Sequence, residues 1–484
     1  MKTMDLLQLD MNKTIGRLPI MLSFLISGFI GMFSETALNV AFNDLMNIFN
    51  ITPATAQWLT TGYLLTLGIL VPISGLLIKW FTTRQLFITS LSFSIVGFLI
   101  AAITPSFTLL LIARIFQAVG TGLLLPLMFN TVLLIFPPEN RGTTMGIIGL
   151  VIMSAPAVGP TLAGILTEKI NWHWIFWFSL PFLIISLLSG IKYMQNVSTI
   201  TKPKIDLLSI GLSTIGFGGI VFGFSNAGEL SGGDDPSVLL FLGVGVIALI
   251  VFSLRQLYLK QPVLNLRAFQ YPMFALGVLL VMFCTMIILA SVLILPIYLQ
   301  GGLETSMFFA GLVMLPGGLI NGIMSQMTGR LFDIIGPRRL VIPGFFITII
   351  VAWILSGITK VSTPGLIMAL HTFLMLGTAM IVTPVQTNAL NQLPRHLYPD
   401  GTAIMTALQQ VAGAIGTALA ICFLSVGREK YLESIVKSDD LTTSLALIAG
   451  VQHAFLFVLA VSVVGLVFSL FVRRVKGIRT VSDD

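Results

Sequence analysis

The chain has 484 residues, of which 56% are hydrophobic and only 9% are charged. Because soluble proteins carry about 25% charged residues, this composition excludes an ordinary soluble enzyme and indicates a polytopic membrane protein. The 26 lysines and arginines outnumber the 19 acids and give a net charge of +7. These charges fall almost wholly in short gaps between apolar runs, so they are typical of topology determinants in loops rather than of nucleic-acid binding.

Fourteen apolar runs are long enough to cross a bilayer, which takes about 20 residues of helix. They lie near residues 18 to 42, 56 to 78, 85 to 104, 107 to 136, 143 to 167, 174 to 192, 206 to 226, 237 to 258, 271 to 299, 306 to 328, 339 to 358, 364 to 388, 401 to 425 and 451 to 472. We call them spans 1 to 14. The predicted fold class is an all-α membrane protein with fourteen transmembrane helices.

The positions of the basic residues predict how the chain is oriented. If the N-terminus is cytoplasmic, 20 lysines and arginines lie in inside segments and 5 lie outside. By the positive-inside rule, both termini are expected in the cytoplasm. The expected location is therefore the cytoplasmic membrane, as a multi-pass protein of a bacterium.

Span 4 contains an arginine well inside its apolar run. Arg114 lies about a turn and a half into nearly thirty mostly apolar residues. An arginine at such a depth costs at least ~2.5 kcal/mol unless it faces a partner or water. Arg114 is therefore a candidate functional residue.

Span 1 carries the matching acid. Glu35 is the only acid well inside any of the fourteen runs, and it lies roughly 10 Å from the outer end of its helix, at a depth similar to that of Arg114. Desolvation and a nearby cation shift a carboxyl pKa in opposite directions, so a Glu35 and Arg114 pair can load and release a proton as water access alternates. A static structural pair is the alternative.

Span 5 has small residues on one face. Ala155, Gly159 and Ala163 recur every four residues, which lets another helix backbone come close, and Pro160 bends or weakens that face. We expect this face to pack against the opposite half of the molecule near its outer end, and to seal the inward-open state.

An internal repeat is visible in two loops, which share Gly, Leu, Arg and Leu at fixed places. Residues 75 to 86 align with residues 329 to 340. Both loops join the second and third spans of a six-span half if spans 7 and 8 are an insert. This predicts an N-terminal half of residues 1–195, two inserted helices in 196–265, and a C-terminal half of 266–484, arranged as two parallel repeats around a central cavity.

Polar residues inside other spans are candidates for the lining of that cavity: Gln117, Asn130, Asn321, His371 and Gln409. Hydrogen bonding between helices is the alternative role for most of them. His371 can titrate near neutrality or be a neutral core histidine. The four histidines are scattered over separate segments, which argues against a membrane enzyme, and we predict neither a cofactor nor a metal site.

Several of these stretches resemble signature pieces of the major facilitator superfamily. Residues 112 to 120 resemble its fourth-span pattern with an embedded arginine, and residues 155 to 164 resemble the fifth-span antiporter pattern. The antiporter pattern here consists of Ala155, Gly159, Pro160, Ala163 and Gly164, with Ala163 where the commoner form has glycine. The family shows this pattern mainly in exporters that exchange a substrate for protons.

The second of the two loops resembles the superfamily's pattern G-x-L-x-D-x-x-G-x-R-R. The matching residues of the two loops are Gly75, Arg84, Gly329, Asp333, Gly336, Arg338 and Arg339. In the first loop Lys79 stands at the acidic place. The usual charge latch with a neighbouring helix end is therefore not predicted there.

Span 1 resembles the fourteen-span drug and proton antiporter branch, the EmrB/QacA-like group, whose pattern is D-x-T-x-x-N-V-A. Ser34 occupies the Asp place and the acid is one residue later, at Glu35. This shift turns the carboxylate about 100° round the helix and is similar to the LmrB-like sub-branch of exporters.

The resemblance implies a proton-coupled exporter of amphipathic or lipophilic drugs and toxic compounds that works by alternating access. An exporter or flippase of a lipid or an endogenous metabolite is the alternative. The expected partners are a small lipophilic substrate, protons and the bilayer, without nucleic acid; an accessory periplasmic protein is compatible with the family but not indicated. A primary pump is disfavoured because the sequence has no G-x-x-x-x-G-K-[ST] phosphate loop.

Overall fold

The computed structural model describes residues 2–198, 200–203, 205–227, 236–433 and 440–475. Within these ranges the chain is built from fifteen α-helices joined by short turns. The helices are α1 (Lys2–Ala37), α2 (Phe42–Phe49), α3 (Pro53–Trp80), α4 (Thr83–Ile103), α5 (Phe107–Ile135), α6 (Arg141–Lys169), α7 (Trp174–Tyr193), α8 (Leu207–Ala227), α9 (Pro236–Tyr258), α10 (Pro272–Ile297), α11 (Met307–Ile335), α12 (Arg338–Leu355), α13 (Pro364–Asn391), α14 (Tyr398–Glu433) and α15 (Asp440–Ser469).

All of these helices except the short α2 are long and apolar enough to cross a membrane. The described part of the chain contains fourteen such spans, so the predicted number is confirmed. The boundaries differ at several places, and α15 begins at Asp440, whereas span 14 was predicted to begin near residue 451. Span 1 ends at Ala37 and is followed by a 3-10 turn, Leu38–Ala41, and α2, while α14 continues to Glu433.

Hydroxyl side chains begin many of the spans. Thr52, Thr82, Ser106, Ser306 and Thr363 each accept a hydrogen bond from the backbone N–H three residues later. These bonds satisfy donors that a helix leaves free at its N-terminus. The short polar gaps of the sequence therefore both end one span and start the next.

The helix packing follows the same scheme twice. In the N-terminal bundle, α1 and α3–α7, helix α5 packs on α3 and α4, and α1 packs on α6 and α7. In the C-terminal bundle, α10–α15, helix α13 packs on α11 and α12, and α10 packs on α14 and α15. The residue boundaries at 195 and 265 stay a prediction.

The helices α8 and α9 pack on each other, and α8 also lies against α3 and α14. The two bundles meet mainly through α6 with α11 and through α3 with α14. Both contacts involve the ends that carry Lys79, Asp333 and Asp400, and we call this side of the molecule the Lys79 face.

Candidate functional site

Arg114 lies on α5 and is completely enclosed, with 0% of its surface exposed. Its Nη1 donates to the backbone oxygen and to Oγ of Ser34 on α1, both at 2.9 Å, and to Oε1 of Gln117 at 3.0 Å. Its Nε donates to the carbonyl oxygen of Leu59 on α3 at 3.2 Å. Three helices therefore meet on one guanidinium, whose fixed fork of donors suits acceptors in several directions.

Tyr63 of α3 covers this guanidinium, with Cζ of Arg114 4.3 Å from the ring centroid. The Tyr63 hydroxyl donates to the carbonyl oxygen of Gly31 on α1 at 3.2 Å and to Oγ1 of Thr121 on α5 at 3.1 Å. A Cβ added at Gly31 would lie 2.9 Å from Oγ1 of Thr121, so only glycine fits this approach of α1 to α5. Since a cation–π contact is stronger away from water, Tyr63 helps to hold a positive charge inside the bundle.

Glu35 is not paired with Arg114. None of the three ion pairs in the described ranges contains Glu35. Its Oε2 is buried and has no hydrogen-bond partner among the described residues. Ser34, one residue earlier, takes the contacts with Arg114, because one step along a helix turns a side chain by about 100°. The predicted direct pair is therefore absent, although the two groups lie at neighbouring positions.

Helices α6 and α11 pack backbone to backbone across the two bundles. A Cβ added at Gly146 would lie 2.7 Å from the carbonyl oxygen of Ser325, and a Cβ added at Gly329 would lie 2.9 Å from Cα of Gly146. Gly142 and Gly149 face the same stretch of α11. Small residues allow helices to come this close inside a membrane. We call Gly142, Gly146, Gly149 and Gly329 the glycine seam.

Asp333 closes the seam at the Lys79 face. Its Oδ1 accepts from the backbone N–H of Gly142 at 3.0 Å, and its Oδ2 accepts from the N–H and Oγ of Thr143, both at 2.8 Å. A carboxylate at a helix N-terminus satisfies free donors and is favoured by the helix dipole by about 0.3–1 kcal/mol. The second loop motif therefore docks on the start of α6 in the other bundle.

The first loop motif makes an equivalent contact with reversed charge. Nζ of Lys79 lies 2.6 Å from Oδ1 of Asp400, at the start of α14, and only 1% of the Asp400 side chain is exposed. The same oxygen accepts from the backbone N–H of Asn265 at 2.9 Å. A Cβ at Gly75 would lie 3.2 Å from the carbonyl oxygen of Pro399. The loop lacks the acid of the usual latch, as its sequence indicates, but the structure shows a pair of reversed polarity that the sequence does not predict.

The expectation for the antiporter pattern also needs correction. A Cβ at Gly159 would lie 2.5 Å from Oγ1 of Thr36 and 3.4 Å from the carbonyl oxygen of Phe33, both on α1 of the same bundle. This face therefore packs at Gly159 within its own bundle and not against the opposite half. At 100° per residue, the faces centred on Gly159 and on the seam glycines lie roughly 100° apart around α6.

The other loop-motif residues lie at helix ends. Nη2 of Arg84 donates to the carbonyl oxygen of Ile191 near the end of α7 at 2.6 Å. Gly336 ends α11 with a φ of 79°, a conformation that favours glycine. Arg338 and Arg339 are exposed at the start of α12.

The five cavity candidates make different contacts. Gln117 belongs to the Arg114 cluster, whereas Nδ2 of Asn321 donates to the Met375 carbonyl oxygen and to Thr378 Oγ1 on α13. His371 is buried on α13 with Nδ1 lacking a partner among the described residues, and Gln409 is half-buried on α14.

Asn130 is completely buried on α5, and neither polar atom of its amide has a partner in the described part of the chain. Unlike the other four candidates, it therefore has a side chain with both polar atoms unsatisfied.

Sequence reasoning missed Tyr63, Asp400 and the seam glycines. Asp400 had a usable signal, because Gly401-Thr402 repeats Gly142-Thr143 and Lys79 needs an acid opposite it. The seam glycines Gly142, Gly146 and Gly149 were visible as small residues on one face. Tyr63 left no signal, since a single tyrosine in an apolar span is ordinary.

Comparison with known proteins gives a consistent set of relatives. The sequence model of the Major Facilitator Superfamily matches residues 24–417. The lincomycin resistance protein LmrB of Bacillus subtilis is 64% identical over 461 residues, which cover 95% of this chain and 96% of that protein. LmrB of Listeria monocytogenes is 58% identical over 464 residues, with 96% and 98% covered. The multidrug export protein EmrB of Haemophilus influenzae is 27% identical over 410 residues, with 84% and 80% covered.

Among solved structures, the crystal structure of the human organic anion transporter MFSD10 has a similar fold. It superposes with a TM-score of 0.58 at 13% sequence identity and covers 93% of this chain and 99% of that one. At this identity the likeness concerns the fold alone.

Proposed function

We propose that this chain, which belongs to the major facilitator superfamily, exports amphipathic or lipophilic drugs in exchange for protons. The chain is a multi-pass cell-membrane transporter and not an enzyme. Its relatives are named for lincomycin resistance and multidrug export, which supports drug efflux as its activity and makes lincomycin the first substrate to test.

The observation that supports proton coupling is the environment of Glu35. It is a carboxyl group inside a span, outside the ion pairs of the described residues, with one oxygen buried and unbonded. It follows directly on Ser34, which binds Arg114. A carboxyl group that is not held in an ion pair can change its protonation when water reaches it, whereas a tightly paired one holds its charge. Glu35 is therefore the proton-binding residue, and Arg114 is the fixed charge near it.

Alternating access would use the contacts at the Lys79 face. With the N-terminus in the cytoplasm, as the basic residues favour, this face is cytoplasmic. The glycine seam, the Asp333 contact and the Lys79–Asp400 pair then hold the cytoplasmic side closed. Export requires residues 1–195 and 266–484 to separate there, with 196–265 as a connecting insert.

Asn130 supports this view. A buried polar group without a partner costs about 1–3 kcal/mol, and Asn130 has two such atoms among the described residues. Opening of the Lys79 face would let water or substrate reach the amide. We therefore place Asn130 in the drug path of the inward-open state, with Gln117, Asn321, His371 and Gln409 as further candidates for its lining.

The test is proton flux in proteoliposomes that contain the purified chain. Lincomycin or another lipophilic drug is added to the bath, where it meets protein whose cytoplasmic side faces outward. Such protein should carry drug into the lumen and protons out of it, so the lumen should become more alkaline. Drug transport that continues with no linked proton movement would refute antiport. Flux that depends on a phospholipid or a metabolite, but on no drug of the panel, would instead indicate an exporter of that endogenous compound.

A further inference from the structure

The inserted helix α9 and the C-terminal bundle enclose an elongated groove of about 390 Å³. Its walls include Phe217 from α8, Leu249 and Phe252 from α9, Leu264 from the connection to α10, and Leu408 from α14. Ser253 is the single polar residue of the lining. The groove is therefore a slot for an apolar group.

The slot runs from the Lys79 face into the hydrocarbon region. Leu257, one residue before the end of α9, lines it near the face, and Leu249 lines it eight residues deeper. At 1.5 Å per residue this is a length of about 12 Å. One leaflet of the hydrocarbon core is about 15 Å thick, so the slot matches the part of an acyl chain that lies in a single leaflet.

Two cationic side chains stand at the mouth of the slot. Lys260 follows Leu257 by three residues, and Arg267 lies between Leu266 and Phe269, which both line the slot. Both cations are exposed, and neither belongs to an ion pair of the described residues. Basic residues at this level of a membrane attract anionic lipid headgroups.

The wall of the slot is held in place by hydrogen bonds. The backbone N–H of Leu264 donates to Oε1 of Gln256 at 3.3 Å, and that of the next residue, Asn265, donates to Asp400 at 2.9 Å. The slot is therefore preformed, and it continues into the residues that hold the Lys79–Asp400 pair.

We infer that this slot binds one anionic phospholipid of the leaflet at the Lys79 face. One acyl chain lies between α9 and α14, and the phosphate lies between Lys260 and Arg267. The apolar walls select a chain, and the two free cations select a negative headgroup over a neutral one. A cationic drug would meet repulsion at this mouth, so the slot is distinct from the drug path.

Native mass spectrometry of the purified, delipidated chain tests this inference. The chain is titrated with phosphatidylglycerol and with phosphatidylethanolamine of the same acyl chains. The wild type should bind a first phosphatidylglycerol at least about tenfold more tightly than phosphatidylethanolamine. Replacing both cations, by Lys260→Gln with Arg267→Gln, should remove most of this preference. Arg330→Gln with Arg473→Gln removes two exposed charges from the same face and should leave it intact.

A second arm tests the chain-binding part. Leu408→Trp fills the slot from α14, and Ser253→Trp fills it from α9. Because the two substitutions load different helices, we expect at least one of these variants to fold. Each folded variant should lose the first tight phosphatidylglycerol, whereas Leu240→Trp, on an exposed position of α9, should keep it. Equal affinity of the wild type for both lipids, or unchanged binding in a folded slot-filling variant, overturns the inference.

Discussion

Arg114 donates to neutral oxygens and not to a carboxylate. Its hydrogen-bond acceptors are oxygens of Ser34, Gln117 and Leu59, and the face of Tyr63 covers it. Its positive charge is therefore stabilised in both protonation states of the neighbouring Glu35. This arrangement allows a proton to come and go without breaking the links among α1, α3 and α5.

The first prediction concerns Glu35. Glu35→Gln keeps the shape and hydrogen-bonding groups of the side chain but cannot release a proton. We expect drug uptake driven by a pH difference in inverted vesicles to fall at least about tenfold, as for loss of an essential titrating group, with normal expression. Glu168→Gln changes an exposed acid at the end of α6 and should transport normally. Full pH-driven uptake by Glu35→Gln would exclude Glu35 as the proton carrier.

The second prediction compares two changes at Arg114. Lysine keeps a charge but cannot reach acceptors in several directions at once, whereas alanine leaves buried acceptors unsatisfied at about 1–3 kcal/mol each. Thermal unfolding in detergent should therefore rank wild type above Arg114→Lys and Arg114→Lys above Arg114→Ala. Arg428→Ala, at an exposed position, is the control. Equal stability of all four proteins would show that the hydrogen bonds of Arg114 contribute nothing to the fold.

The sequence could locate Glu35 and Arg114 because a charge inside an apolar run is visible without coordinates. It could not assign their partners. Whether Arg114 meets Glu35 or Ser34 depends on the rotation of α1 about its own axis, and that rotation is set by contacts such as Gly31 with Thr121. The contact of Tyr63 depends on α3, which is distant in sequence from both.

At the level of single helices, α6 packs in two directions. Its seam glycines face α11 in the other bundle, while Gly159 faces α1 in its own bundle. Sequence periodicity identified the small residues of the Gly159 face, but it missed the seam glycines and did not give the neighbour that either face contacts. Small residues on one helix face indicate that a neighbouring helix packs closely there. Which helix that neighbour is depends on the assembly of the whole molecule.

The third prediction follows from these two directions. Gly146→Leu places a side chain where α11 backbone lies 2.7 Å from the added Cβ, so the Lys79 face should open. In a background lacking Cys284 and Cys422, thiol labelling of Asn130→Cys from that face should rise several-fold, as expected when bulk separates closely packed helices.

Two variants are the controls for this experiment. Gly159→Leu should leave the labelling of Asn130→Cys unchanged, since its contacts lie within one bundle. Gly211→Leu adds the same bulk where nothing lies within 4 Å, and it should also behave as the parent. If a folded Gly146→Leu protein is labelled no faster than Gly211→Leu, the seam does not control access at this face.

The fourth prediction concerns the inserted pair of helices. Nε and Nη2 of Arg255, near the end of α9, donate to Asp206, just before α8, at 2.8 and 3.2 Å. These bonds lower the pKa of Asp206 to about 2. Because this folded-state pKa lies below the unfolded value of about 3.9, the stabilisation is present above pH 4 and is lost as the pH falls towards 2.

Melting temperatures of the wild type and of Asp206→Asn, measured from pH 6 to pH 2.5, test this. The difference between the two proteins cancels the titration of the other carboxyl groups. We expect the wild type to melt higher above pH 4 and the difference to shrink steadily below it. A difference that is independent of pH would mean that the charge of Asp206 does not contribute.

For the whole molecule, hydropathy predicted the number of spans correctly because each span must be apolar to lie in a bilayer. The order of the helices could also be predicted from the sequence, because short connections join neighbouring helices. The contacts that close the Lys79 face could not be predicted, because the partner of a charged loop residue need not lie near it in the sequence. Lys79 and Asp400 are 321 positions apart.

The fifth prediction is a charge exchange at this pair. Lys79→Asp alone places two acids together at the face and should impair drug export, and Asp400→Lys alone should do the same with two cations. The double variant restores opposite charges and should recover part of the activity, measured as drug resistance of cells that produce equal amounts of protein. Recovery is partial because the backbone N–H of Asn265 loses its acceptor. A double variant no better than the worse single variant would refute direct coupling.

The reversed polarity of the two latches also limits how the molecule can have descended from a duplicated gene. The start of α6 reads Arg141-Gly142-Thr143 and the start of α14 reads Asp400-Gly401-Thr402. A symmetric ancestor made from two copies of the present first half would set Lys79 against Arg141, and one made from two copies of the second would set Asp333 against Asp400. Like charges would stand at the two corresponding positions in both cases, so neither half carries the charge pattern that would let it pair with a copy of itself. The two halves are therefore complementary in charge at the Lys79 face and could not be exchanged for each other without loss of these contacts.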